Sequence, residues 1–275
     1  DSGSLIRLTR GAVHATDLTN ASRTLLFNLD DLAWDRTLLD RWGLSGMKLP
    51  EVRPSAFAYA DSDIEGLLPR PVPVASMIGD SHGSAFGAGC TSPGAAKATL
   101  GTGTSILMDV GARRARQAGG MVETICWSTG ERVDHALEGI VVSSGATIQW
   151  MRDQLGLFAE SRETEAMARA VDDNGGVHLV PAFSGLGAPW WKPGAKAAIC
   201  GLTFASTRNH LVRAALESIP YQIADVIAAM SGGGGVALAS LTVDGGISAN
   251  SFVMQLLADT LGRPVVNRGV VDGAA

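Results

Sequence analysis

One acidic residue beside a glycine is the first candidate for chemistry in this sequence. Asp80 follows Gly79, and the apolar stretch before it predicts a buried strand over residues 74–78. A carboxylate at the end of such a strand can accept the proton of a substrate hydroxyl. The alternative is that Asp80 caps a helix over residues 81–89. The neighbouring His82 and the other histidines lack the spacing of metal ligands, so we predict no metal ligand here.

Three glycine-containing turns can bring backbone N–H groups to an anion. The Gly-Thr-Gly turn at residues 101–103 joins two predicted strands and is either a phosphate site or a plain hairpin turn. The second turn contains Gly145, where Ser143 and Ser144 can also be simple helix caps. The third, at residues 245–246, leads from a strand into a helix start, which favours anions. No turn matches the P-loop or the dinucleotide fingerprint, so a different nucleotide fold is implied.

Alternating strands and helices must position these turns. Apolar patterns predict a meandering sheet in the middle of the chain, and Pro220 should bend or break the longest helix near Glu217. The predicted strands are residues 74–78, 95–100, 104–110, 123–127, 133–137, 241–243 and 264–266. The predicted helices run through residues 22–27, 35–42, 140–154, 162–171, 209–230 and 251–261. The candidate caps of the first of these helices are Asp17, Thr19, Asn20 and Ser22. The pattern indicates an α/β protein.

Composition narrows the class of protein further. The 275 residues are 46% hydrophobic and 18% charged, which is typical of a globular chain of one large or two modest domains. A net charge of −5 without a basic stripe makes nucleic acid and anionic membranes unexpected partners, and no segment resembles a membrane span. The three widely spaced cysteines and the absence of a secretory signal predict reduced thiols and a cytoplasmic location.

Taken together, the motifs resemble the FGGY family of carbohydrate kinases over nearly the whole chain. The matching segments are residues 16–24 (Thr-Asp-Leu-Thr-Asn-Ala-Ser-Arg-Thr), 26–28, 49–55, 79–80, 101–103, 136–139, 145–150, 180–191 and 243–246. Residues 197–217 also match the family's second signature, through Gly201-Leu202, His210-Leu211 and the Ala-Ala-Leu-Glu run at 214–217. So many matches in the right order identify the chain as similar to this family.

The resemblance implies an actin-like ATPase fold of two ribonuclease H-like domains that close around ATP and a polyol or sugar. Residues 1–90 would belong to the first, substrate-side domain and residues 91–275 to the second, nucleotide-side domain. The implied reaction is transfer of the γ-phosphoryl group to a primary hydroxyl, with glycerol as the first expected acceptor. By this resemblance the start of the first domain and the end of the second are missing, including the family's phosphate-binding hairpin.

The resemblance also implies roles for individual residues. Asp80 corresponds to the general base, and the substrate-binding positions are Asp80 itself, Ser81 and Ser105. The corresponding ATP-binding positions are Thr102, Gly145, Gln149, Gly246 and Asn250. Mg²⁺ would neutralise the charge of the phosphates during transfer. A homodimer or homotetramer is the assembly expected from family members.

Two positions leave the acceptor open. Family members that phosphorylate glycerol carry a glutamine after the base and a phenylalanine after the Gly-Thr-Gly turn, where this sequence has Ser81 and Ser105. Loss of an apolar wall changes both the shape and the polarity of a pocket. A pentulose, another polyol or a sugar acid is therefore the alternative acceptor. The alternative to an enzyme is a non-catalytic fragment of this fold.

Overall fold

A computed structural model describes residues 2–115 and 119–269, which contain eight α-helices, one 3₁₀ helix and fourteen strands. The α-helices are α1 (Ser2–Leu8), α2 (Leu18–Ala21), α3 (Arg36–Arg41), α4 (Asp80–Gly87), α5 (Gly145–Asp153), α6 (Glu163–Arg169), α7 (Arg208–Gly234) and α8 (Ser251–Leu261). The strands are β1 (Ala15–Asp17), β2 (Phe27–Asn28), β3 (Ala33–Trp34), β4 (Glu51–Arg53), β5 (Ala56–Ser62), β6 (Val72–Ser76), β7 (Ala95–Leu100), β8 (Thr104–Gly111), β9 (Val122–Ser128), β10 (Val133–Val141), β11 (His178–Val180), β12 (Ala198–Cys200), β13 (Ser240–Asp244) and β14 (Val265–Asn267). The 3₁₀ helix is Gly246–Ala249. Residues 1 and 270–275, at the ends of the two predicted domains, lie outside the described residues, as do residues 116–118.

A six-stranded sheet organises the second part of the chain. Its order is β14-β13-β7-β8-β10-β9, with β13 parallel to both β7 and β14 and the other pairs antiparallel. The strands β7, β8, β9 and β10 form where the apolar patterns predicted strands, although β10 is longer than predicted, and the prediction of a simple meander is wrong. The strand β10 lies between β8 and β9. This leaves β9 at the edge of the sheet, where α2 and α4 pack against it.

The main core lies between this sheet and α7. Ala96, Ala98 and Leu100 alternate along β7 and belong to one buried cluster with the apolar face of α7. That helix is continuous through Pro220, so the predicted break is wrong. Buried residues of α7 lie on both sides of the proline, including Leu216 and Ile223, and their burial offsets the roughly 3 kcal/mol that an interior proline costs.

The predicted helix start at residue 140 is also wrong, because β10 extends to Val141. Gly139, Ile140 and Val141 pair with β8 in register, so their backbone groups are bonded within the sheet. The helix α5 begins only at Gly145. The helix predicted over residues 22–27 is wrong as well, since α2 ends at Ala21 and the backbone at Leu25 has a φ of 61°.

The first part of the chain is built from short pieces around a buried carboxylate. Asp17, one of the four residues offered as caps, is fully buried and caps α2 by accepting from the backbone N–H groups of Thr19 and Asn20, so the helix it caps lies before the one predicted at residues 22–27. Its Oδ2 also accepts from the Ser55 hydroxyl at 2.8 Å. The predicted helix at residues 35–42 is confirmed as α3, with Asp35 as its cap. The Ser55 contact ties the segment between β4 and β5 to the start of α2.

The first part docks on β9 of the large sheet through apolar and polar contacts. Leu18 and Ala21 share a buried cluster with Ile125. The Ser22 and Thr124 hydroxyls lie 2.7 Å apart, and the Ser128 hydroxyl accepts from the backbone N–H of Ser55 at 2.8 Å. These bonds fix the orientation of the first part of the chain against the sheet.

The state of the cysteines and the length and polarity of the helices also test the sequence predictions. The three cysteines are free, with Cys90 and Cys126 buried and Cys200 exposed, as the sequence predicted. Across residues 2–115 and 119–269, every helix is too short or too polar to cross a membrane.

Candidate active site

A cavity of about 490 Å³ lies where three turns meet at the ends of β7, β10 and β13. Its wall contains all five residues predicted to contact the nucleotide: Thr102, Gly145, Gln149, Gly246 and Asn250. We call it the nucleotide-side cavity. Residues from three separate stretches of sequence therefore meet in one place.

The first two turns are tied together by backbone hydrogen bonds. The N–H of Gly145 donates to the carbonyl of Gly101 at 3.0 Å, and the N–H groups of Ser144 and Ala146 donate to the carbonyl of Thr102 at 3.0 Å. Ser144 occupies the cap position of α5, which was one of the two interpretations of this turn, but its side chain makes no cap bond. Its hydroxyl lies 2.8 Å from that of Thr104 instead, which joins the start of α5 to β8.

The third turn is pressed against the end of β7. Gly245 has a φ of 89°, and a Cβ atom at this position would lie 2.5 Å from the carbonyl oxygen of Leu100. Gly246, by contrast, is exposed and has open space where a Cβ would lie. Asn250 accepts from the N–H of Val253 at 3.2 Å and so caps α8 while it lines the cavity.

A second cavity of about 300 Å³ lies between α4 and the sheet. Ser81 and Ser84 of α4 line one side, and Lys97 and Thr99 of β7 line the other, together with Ser105 of β8. We call it the acceptor-side cavity, since both predicted substrate serines line it. Gly101 lines this cavity and the nucleotide-side cavity alike, so the two cavities adjoin at the Gly-Thr-Gly turn.

Asp80 is the first residue of α4, and both sequence interpretations of its place are wrong. The strand before it, β6, ends at Ser76 and is mostly exposed, because it pairs only with β5 in a two-stranded sheet. The cap of α4 is Gly79. Asp80 is exposed and accepts from the N–H of Ser81 at 2.6 Å. Within the described part of the chain, Ser81 contributes to the wall of the acceptor-side cavity, whereas Asp80 lies beside it in sequence and outside that wall.

The buried carboxylate of the first part holds the start of α4. The N–H of Gly79 donates to the Thr19 hydroxyl at 2.9 Å, and that hydroxyl donates to Asp17 Oδ2 at 2.7 Å. Charge-assisted hydrogen bonds of this kind are stronger than neutral ones. Asp17 thereby fixes the position of the residue that precedes Asp80.

His82, next in the helix, is buried and has a polar structural role, as the sequence suggested. Its Nε2 lies 3.3 Å from the Thr124 hydroxyl. Burial lowers the pKa of His82 to about 4, and the Arg23 charge acts in the same direction. No group of three or more metal-ligating side chains occurs in residues 2–115 and 119–269.

The His82 environment predicts a pH dependence of folding. A histidine whose folded pKa lies below its unfolded value near 6.5 contributes stability above pH 6.5, and that stability is lost as the pH falls toward 4. The shift corresponds to a loss of about 3 kcal/mol. In urea unfolding at pH 7 and pH 4.5, His82→Gln should show a smaller difference between the two pH values than the unmodified protein. An equal difference in both proteins would show that His82 is not responsible.

Three charged residues near the cavities were not predicted as site residues. Lys97 lines the acceptor-side cavity, and Arg162 lines the nucleotide-side cavity. Glu138 is buried on β10, where its carboxylate pairs with Arg23 at 2.6 Å and lies 3.5 Å from the Ser105 hydroxyl. For Lys97 the signal available in the sequence was a single charge inside an apolar strand pattern, whereas Glu138 lies just beyond the strand predicted at residues 133–137.

Comparison with known proteins identifies a family for this chain. The model of the N-terminal domain of the FGGY family of carbohydrate kinases matches residues 4–87, and that of the C-terminal domain matches residues 96–275. Glycerol kinase 1 of Clostridium tetani is 44% identical over 268 residues, which are 98% of this chain and 54% of that protein. Glycerol kinase of a Shewanella species is 47% identical over 275 residues, 100% of this chain and 56% of that protein.

Solved structures show the same fold. Plasmodium falciparum glycerol kinase with ADP superposes with a TM-score of 0.92 at 30% identity and covers 99% of this chain and 55% of that one. A xylulose kinase from Brucella ovis gives a TM-score of 0.89 at 23% identity, covering 100% of this chain and 57% of that one, and supports the fold alone.

These matches identify both the fold and the family of the chain. The fold is the actin-like ATPase fold of α/β domains, as the sequence resemblance implied. The chain belongs to the FGGY family of carbohydrate kinases. It spans about half the length of the curated relatives it matches.

Proposed function

We propose that this chain takes part in ATP-dependent phosphorylation of a primary hydroxyl of a polyol, with glycerol as the acceptor. The observation that carries the proposal is the junction of the two cavities at Gly101. One cavity gathers the residues expected to bind ATP, and the other gathers the serines expected to face the acceptor. Phosphoryl transfer depends mainly on such positioning of the two reactants.

Different residues bind the nucleotide and the acceptor. The Thr102 hydroxyl and the exposed backbone at Gly246 bind phosphate oxygens, while Gly145, Gln149 and Asn250 line the remainder of the site. Asp80 accepts the proton of the attacking hydroxyl on its carboxylate, which its exposure leaves accessible. Ser81 and Ser105 hydrogen-bond the acceptor. Residues 1–90 and 91–275 are the parts of two domains that close on these ligands.

The nucleotide-side cavity suits ATP in both size and chemistry. Its volume of about 490 Å³ is within the range of small-molecule sites, and the open space at Gly246 lets a phosphate approach the backbone. We propose Mg²⁺ as the cofactor that binds together with ATP. When bound, it would neutralise negative charge on the phosphates.

The acceptor is tested by a substrate panel with the protein expressed from its complete reading frame. Release of ADP is measured with glycerol, a larger polyol, xylulose and gluconate, and a reaction without acceptor serves as the control. We expect kcat/KM for glycerol to exceed that for the other acceptors by about 100-fold. A higher value for xylulose or gluconate would overturn the choice of glycerol, and the absence of turnover with every acceptor would favour a non-catalytic protein.

One observation favours the second candidate, a kinase for a pentulose, another polyol or a sugar acid. Ser81 and Ser105 both line the acceptor-side cavity, and each hydroxyl can bond a further oxygen of a larger acceptor. We also propose a homodimer or homotetramer in the cytoplasm, where the free thiols stay reduced. Sedimentation of the purified protein measures the assembly.

A further inference from the structure

We propose that the buried ion pair between Lys97 and Asp244 is a positioning device that fixes the nucleotide-side turn against the acceptor-side cavity. The inference rests on the proposed function and adds two residues to it. It starts from two buried charges on elements far apart in the sequence. Lys97 lines the acceptor-side cavity, and Asp244 comes two residues before Gly246 of the nucleotide-side cavity.

The two side chains are almost completely enclosed. Lys97 Nζ lies 2.8 Å from Asp244 Oδ2, and the side chains are 7% and 5% exposed. The ammonium group also donates to the Thr99 hydroxyl at 2.5 Å. Asp244 Oδ1 is buried without a hydrogen-bond partner among the described residues. An ammonium group carries three N–H donors, and these contacts use two of them.

The pair joins the two cavities through adjacent parallel strands. Lys97 is on β7, and its neighbours Ala96 and Ala98 face the main core, so its side chain points to the acceptor-side cavity that it lines. Asp244 ends β13 opposite Thr99 and is followed directly by the turn at Gly245 and Gly246. A change in the distance between the two charges would therefore move that turn relative to the acceptor.

Stability alone does not explain two charges at this place. Desolvation of a buried ion pair costs about as much as the attraction returns, and well-packed apolar residues of similar volume are often equally stable or more so. Loss of one partner is different, since it leaves an uncompensated charge in the interior. The contribution specific to the charged pair is directional, because its hydrogen bonds fix the Asp244 carboxylate relative to β7.

The test uses a double variant, because a single substitution would leave an unpaired buried charge. Lys97→Met with Asp244→Leu removes both charges and approximately keeps the volume. The control is Arg132→Met with Asp134→Leu, which removes an ion pair of 2.5 Å between a half-exposed arginine just before β10 and a buried aspartate on it, away from both cavity walls. Thermal unfolding, kcat and KM for ATP are measured on the complete protein, together with amide hydrogen exchange of residues 245–250.

We expect the Lys97/Asp244 double variant to unfold near the temperature of the unmodified protein, with faster exchange at residues 245–250 and a kcat lower by about 10- to 100-fold. KM for ATP should change less than kcat. Lys97→Arg keeps the charge and should retain more activity than the double variant. The control should leave exchange at residues 245–250 unchanged.

Unchanged exchange at residues 245–250 in the Lys97/Asp244 double variant would overturn the inference, whatever the activity. Faster exchange with unchanged kcat would overturn the link to catalysis. If the unmodified protein transfers no phosphoryl group, the proposed function fails by itself, and the exchange measurement still decides whether the pair fixes the turn.

Discussion

Asp80→Asn should lower kcat for phosphoryl transfer by about 10²- to 10⁴-fold, the range that general bases contribute. The amide keeps the size of the carboxylate and can still accept from the N–H of Ser81, but it cannot take the proton of the acceptor hydroxyl. Because Asp80 is exposed, the free energy of unfolding should hardly change. The measurement is ADP release with saturating acceptor, with the dissociation constant of ADP determined in parallel.

A second aspartate provides the comparison for this variant. Asp259 is an exposed residue of α8, and Asp259→Asn makes the same chemical change away from both cavity walls. It should keep the kcat of the unmodified protein. Retained turnover in Asp80→Asn would remove Asp80 from the role of base, and a large loss of ADP binding would indicate a structural role instead.

Gly245→Ala should have the largest effect on the nucleotide-side turn. The backbone there has φ 89° and ψ 167°, a region that residues with a side chain rarely adopt. The new Cβ would also lie 2.5 Å from the carbonyl oxygen of Leu100, which is backbone at the end of a buried strand. Strain and overpacking together should lower the free energy of unfolding by at least about 2 kcal/mol. Nucleotide binding should weaken as the turn moves.

Gly246→Ala distinguishes an effect on ADP binding from an effect on the stability of the turn. Its Cβ has open space, so the free energy of unfolding should stay near that of the unmodified protein. The same methyl group would occupy part of the cavity, and ADP affinity should fall. Urea unfolding and titration calorimetry measure the two effects. Wild-type stability of Gly245→Ala would contradict the account of this turn.

Local patterns predicted much of the fold. Short apolar runs punctuated by glycine predicted β7 and β8, and the Gly-Gly turn after a strand predicted the helix that follows as α8, because these elements form between neighbours in sequence. The position of β10 between β8 and β9 was missed, since strand order depends on pairing between distant segments. The end of β10 was missed for the same reason: pairing with β8 keeps residues 140–141 extended.

In the candidate site, too, features set by neighbouring residues could be predicted, and features set by contacts between distant segments could not. The glycine turns could be found because each needs only a few consecutive residues, and the resemblance to a known family indicated that they act together. The pairs of Lys97 with Asp244 and of Arg23 with Glu138 could not be found, because the partners come from distant parts of the chain. Met77 and Ile78 suggested a buried strand before Asp80, but the actual strand ends earlier and has a single partner.

The most direct test of the central claim is a crystal structure of the protein from its complete reading frame with ADP and glycerol. The account predicts the phosphates between Thr102 and Gly246, and a glycerol hydroxyl within hydrogen-bond distance of the Asp80 carboxylate. A nucleotide bound outside the cavity that these two turns share, or an Asp80 carboxylate directed away from glycerol, would contradict it.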